Sequence, residues 1–185
     1  MNTLVDDGVR LHGFIAPGHV SAITGSVIYN DLASKYGLSV VISGFEPLDI
    51  MQSILMLVKQ LEAGEPQVEI QYRRVVSKEG NRIAQGLVQR VFRTADDSWR
   101  GLGTIPSSGL CLSDEYQEFD PGQHFTVIVP ETVEPKGCIC GNILRGLKTP
   151  GDCKNFAKEC TPMNPMGACM VSSEGTCATW YKYRN

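Results

Sequence analysis

Six of the seven cysteines in this 185-residue chain lie between Cys138 and Cys177, in the order Cys138, Cys140, Cys153, Cys160, Cys169 and Cys177. A packed core has no need of thiols at that density. Such a set binds metal through its thiolates, closes disulfides, or does both. The gaps between neighbours hold 1, 12, 6, 8 and 7 residues, and no Cys-x-x-Cys knuckle occurs. Structural zinc usually draws on two closely spaced ligand pairs, so this spacing disfavours it. Thiols spread through Gly- and Pro-rich loops suit the larger core of a 4Fe–4S cluster, which uses four of them. Two would then remain, and a spare pair beside a cluster can cycle between dithiol and disulfide. A disulfide knot without metal needs an oxidising compartment. Spacing does not say which four cysteines bind. A continuous helix from 169 to 177 would turn those two side chains about 80° apart, which points to different roles for them.

The rest of the composition narrows the class. Hydrophobic residues at 42% and charged residues at 20% are a globular balance. A formal charge of −3 gives no electrostatic footprint for nucleic acid. After Cys138 the cations Arg145, Lys148, Lys154, Lys158, Lys182 and Arg184 outnumber Asp152, Glu159 and Glu174. That excess suits an anionic cluster, an acidic partner or a plain solvated face. Residues 1–14 show no basic start followed by an apolar run. The longest apolar stretch, 50–61, is too short and too interrupted to span a bilayer. These features lead us to expect a cytoplasmic chain, where clustered cysteines favour metal or redox chemistry.

Elements that would position such chemistry can be read from periodicity. Residues 13–16 form a short apolar strand. Pro17-Gly18-His19 turns into a helix over 20–36, interrupted near Gly25 and stopped at Gly37. Residues 38–43 are β-branched, bounded by glycines, and read as a buried strand. Pro47 opens a helix to Ala63, whose apolar stripe (Met51, Ile54, Leu55, Val58, Leu61) should pack on a sheet. Residues 67–76 are a strand or an irregular segment, and 81–92 a further helix. Strand–loop–helix units of this kind build a parallel, doubly wound sheet. With about two units the sheet is incomplete. From 99 to 135 turn residues dominate, with one strand expected over 125–129. The expected class is α/β: a partial doubly wound (Rossmann-like) parallel sheet over 1–115, then a small loop-rich, cysteine-bearing domain over 116–185.

Several strings carry a resemblance. Phe14-Ile15-Ala16-Pro17-Gly18-His19-Val20-Ser21, Gly44-Phe45-Glu46-Pro47-Leu48-Asp49-Ile50 and Trp99-Arg100-Gly101-Leu102-Gly103 come in that order. They are followed by Cys138-Ile139-Cys140-Gly141 and Gly167-Ala168-Cys169-Met170-Val171-Ser172-Ser173-Glu174-Gly175. Together they resemble the C-terminal half of the HypD family of hydrogenase maturation factors. The resemblance implies two α/β domains facing across a cleft, and a third domain holding a 4Fe–4S cluster. It implies a scaffold and redox partner in assembly of the Fe(CN)2CO moiety of nickel–iron hydrogenases. A HypC-type chaperone and HypE- and HypF-type cyanide donors are the implied partners. By the same resemblance Cys138, Cys153, Cys160 and Cys177 are cluster ligands, and Cys140 and Cys169 a redox pair. The family's Cys-Gly-Gly-His and Gly-Pro-Gly-Cys-Pro-Val-Cys motifs, which belong to its N-terminal half, do not occur here. A separate N-terminal half is therefore a further expected partner. Cluster-dependent disulfide reduction and a structural zinc module are the alternatives.

Outside the cysteines, His19 at a helix start and Glu46 at the next strand-to-helix turn should share one sheet edge, where α/β folds bind ligands. Capping or core packing accounts for either equally well. Asp49 in a first helical turn is explained by the helix dipole. Cys111 reads as a small buried hydrophobe. No Gly-rich phosphate loop and no Ser/His/Asp arrangement is present.

Overall fold

The computed structural model describes residues 11–99, 102–126, 128 and 135–184. The chain divides into two compact units, Met1–Phe92 and Arg93–Asn185.

In the first unit, β1 (Gly13–Pro17) runs into α1 (Gly18–Thr24). Gly25 then takes a left-handed φ of 76° and breaks the helix. A 3-10 turn (Val27–Tyr29) and α2 (Asn30–Ser34) complete the crossover to β2 (Ser39–Ser43). Next come α3 (Pro47–Ala63), β3 (Val68–Ile70) and α4 (Arg82–Val91), the last capped by the Asn81 side chain, which accepts from the Ala84 N–H. The strands form one parallel sheet in the order β1-β2-β3, with Ile15 opposite Val41 and Val41 opposite Glu69. Three strands form where two were counted, because 68–70 pairs with β2. Ala16, Val40 and Ile42 pack with Tyr29, Leu32 and Val76 on one face. The other face lies under α3, where a Cβ at Gly13 would stand 3.3 Å from Leu57.

The helix expected at 47–63 has those bounds, but its burial is reversed. Met51, Leu55 and Leu48 are exposed, whereas Asp49, Ser53 and Gln60 are buried. The polar face is satisfied inside. The Ser53 hydroxyl donates to the Asp49 carbonyl at 2.8 Å. Gln60 donates to Glu69 at 2.7 Å and accepts the Gln67 N–H at 3.2 Å. Asp49 takes both ends of the Arg74 guanidinium, at 2.8 and 2.7 Å, and the Gln71 amide at 2.9 Å. It is thus more than a helix-dipole residue. These bonds, with Arg74 first, hold the Asp49 carboxyl down to about 2. A carboxyl depressed by folding stabilises above its ordinary value of 3.8 and ceases to do so as pH falls through about 2. Arg74→Met therefore lowers the thermal midpoint at neutral pH. That deficit shrinks on acidification from pH 4 towards 2, as thermal scans at several pH values will read.

In the second unit β4 (Phe92–Trp99) and β5 (Gly103–Leu112) form a two-stranded sheet, β5 lying where turns were expected. Asp96, Asp97, Ser98, Ser107 and Ser108 hide the alternation, since both strands are largely exposed. Arg100 and Gly101 lie outside the described residues, as do Val127 and Val129 of the strand expected at 125–129. A 3-10 helix (Asp114–Phe119) and α5 (Pro121–His124) follow. The cysteine-bearing segment has little regular structure: α6 (Cys140–Leu144), a 3-10 turn (Pro150–Asp152), α7 (Ala168–Val171) and α8 (Thr176–Tyr183).

Candidate metal centre

Short local devices present each cysteine. Gly137, at φ 81°, turns the chain into Cys138, and Cys140 opens α6. Asp152 accepts the Thr149 N–H at 2.8 Å and its hydroxyl at 2.9 Å, which closes the turn before Cys153. The same two bonds, the backbone one first, hold the Asp152 carboxyl low. Between Cys153 and Cys160 the chain doubles back: Cys160 N–H donates to the Asn155 carbonyl, and Ala157 sits at a left-handed φ of 57°. Cys169 lies on α7 and Cys177 on α8. The continuous helix considered for 169–177 is broken by the turn at 172–175, where the Gly175 N–H donates to the Ser172 carbonyl. A Cβ at Gly175 would fall 2.3 Å from the Cys169 carbonyl oxygen, so the two helices meet at the closeness glycine allows.

All six cysteines line one cavity of about 10 Å³, together with Ile143, Phe156, Gly167 and Met170. Cys140, Cys160, Cys169 and Cys177 are buried in the core of this segment, and Cys138 and Cys153 pack against it. The Cys169 thiol donates to the Cys177 sulfur at 3.1 Å. The Cys169 N–H reaches the Cys140 sulfur at 3.3 Å, and the Met166 N–H reaches the Cys160 sulfur at 3.4 Å. Cys169 thus touches Cys140 and Cys177, one from each set implied by resemblance. Burial pushes the Cys169 thiol up to about 11, helped by its bond to Cys177, and burial also raises Cys177. Thiolates in so apolar a place need cations among them. None of the seven cysteines is in a disulfide. Cys111 is separate and half-buried rather than fully buried, its thiol 3.7 Å from the Arg93 carbonyl oxygen.

The donor set fits an iron–sulfur core in kind: soft thiols, an apolar wall and backbone N–H groups aimed at sulfur. Among the described residues no three His, Cys, Asp or Glu side chains close on a single point as a lone metal ion requires. The sulfurs surround a space instead. At about 10 Å³ that space has room for about one water, so it is smaller than a polynuclear core.

A second group of residues gathers at the carboxyl edge of the parallel sheet. There the His19 and Phe45 rings lie 5.1 Å apart, and Glu46 pairs with Arg74 at 3.3 Å. Both expected edge residues, His19 and Glu46, are exposed at this edge. Tyr72, which periodicity did not single out, lies across Gly18 and Gly44. A Cβ at either would come within 2.6 or 2.7 Å of its ring. The Arg74 guanidinium stands 4.4 Å over the same ring.

The order of these motifs has counterparts. Residues 1–184 match the family model described as HypD: Hydrogenase formation hypA family. The chain belongs to the HypD family. It is 49% identical over 176 residues to the hydrogenase expression/formation protein HupD of Azotobacter chroococcum, covering 95% of this chain and 46% of that protein. It is 48% identical over 176 residues to the hydrogenase maturation factor HypD of Cupriavidus necator, with the same coverage. Against the HypD of Escherichia coli the identity is 46% over 180 residues, 97% of this chain and 48% of the relative. The chain spans about half the length of these curated relatives and matches their C-terminal half. No helix among the described residues is long and apolar enough to cross a membrane.

Proposed function

We propose that this chain is the cluster-bearing half of a hydrogenase maturation scaffold. Cys138, Cys153, Cys160 and Cys177 hold a 4Fe–4S cluster, and Cys140 and Cys169 form a thiol pair beside it. When bound, the cluster supplies one-electron exchange. The gathering of six cysteines around one apolar cavity carries this reading, and family membership supports the maturation role. Met166 and Cys169 steady the site through their N–H groups on sulfur, and Ile143, Phe156 and Met170 keep water from it. His19 and Glu46 offer a ring nitrogen and a carboxylate at the sheet edge, where the Fe(CN)2CO iron would be handled as cargo. The HypC-type chaperone and the HypE- and HypF-type cyanide donors are the partners in this proposal.

Serine variants test the division of labour. Cys138→Ser, Cys153→Ser, Cys160→Ser and Cys177→Ser should each lose most iron absorbance after anaerobic reconstitution. Cys140→Ser and Cys169→Ser should keep it while losing the extra pair in a thiol titration. Loss of iron with Cys140→Ser or Cys169→Ser, and retention with Cys177→Ser, would reassign the pair.

A further inference from the structure

We propose that the outward face of α3, with the free side of β1, is the docking surface for a strand–helix unit from the N-terminal half of a HypD-family protein. Leu48, Met51, Ile54, Leu55, Val58 and Leu61 form one apolar arc on α3, with Met51 64% and Leu55 53% exposed. A helix of a soluble protein normally turns such an arc inward. Here the side facing the sheet is Asp49, Ser53 and Gln60, fully satisfied by hydrogen bonds, so α3 has no reason to roll over. At 100° per residue the arc begins beside Leu57, which reaches towards Gly13 of β1. Ile15, two residues along and on the same face of β1, is 42% exposed. Among the described residues β1 pairs only with β2. The apolar arc, Ile15 and the free strand edge are therefore continuous. One more parallel strand beside β1, with its helix laid over Ile15 against α3, covers all three.

The relatives name the occupant by length: each carries about as much chain again on the N-terminal side of the match. The inference rests on family membership and the α3 geometry, not on the cluster, so either can fail alone.

The test co-expresses this chain with the half of the Escherichia coli relative that it does not match, and measures affinity by biosensor and stoichiometry by size exclusion. A one-to-one complex is expected, with protection of α3 and β1 from hydrogen exchange. Met51→Glu and Leu55→Glu should weaken it at least about tenfold without changing the chain's own thermal midpoint. Lys78→Glu, at an exposed position outside α3 and β1, should not weaken it. Absence of a complex, a complex indifferent to Met51→Glu and Leu55→Glu, or self-association abolished by those variants would each overturn the proposal.

Discussion

A Gly167→Ala variant is expected to fold and yet bind iron at least about tenfold more weakly than the wild type. Gly167 precedes α7 with a φ of −102°, which any residue adopts, so the demand for glycine here is one of space. A Cβ would stand 2.6 Å from the Cys138 sulfur and 3.2 Å from the Cys140 Cβ. The sulfur can escape only by rotating out of the cavity that the other cysteines share. Gly86→Ala, where a Cβ meets nothing within 4 Å, is the matched control. Chelator competition after anaerobic loading reads the difference. Equal retention of iron by Gly167→Ala and wild type would mean that Cys138 does not hold it.

The second large effect belongs to the sheet. Ile42→Ala is expected to destabilise the first unit by about 2–5 kcal/mol, the range for a buried Ile truncated in a core. Ile42 is fully buried on the central strand and packs with Ala16, Leu32 and Val76. Its carbonyl accepts from Gln71 and Tyr72, at 2.9 and 3.1 Å, so it also fixes the ring laid across Gly18 and Gly44. Urea unfolding followed by tyrosine fluorescence should show a lower midpoint with little change in slope. Val27→Ala, a truncation at an exposed position, should stay within about 0.5 kcal/mol of wild type.

The same contrast explains what the sequence disclosed. The α3 bounds were legible because Pro47, the apolar period and Gly64 mark start, body and stop locally. Its orientation was not, since periodicity identifies an apolar face but not its cover. The buried bonds of Asp49 to Arg74 and of Gln60 to Glu69 depend on residues up to 25 positions away. The placement of His19 and Glu46 at one edge followed from two strand-to-helix turns in parallel register. Tyr72 escaped notice because its role is to fill the space of two glycines distant in sequence. β4 and β5 were hidden by polar residues on both faces. Convergence of the six cysteines was legible from density alone. Their division was not, because Cys169 contacts both Cys140 and Cys177 through loops with no periodicity.

Iron and acid-labile sulfide, measured per chain on protein purified and reconstituted without oxygen, test the central claim most directly. About four of each are expected, with the brown absorbance of a thiolate-held cluster. Protein that takes up neither when both are supplied, or that retains a single zinc in their place, would contradict it.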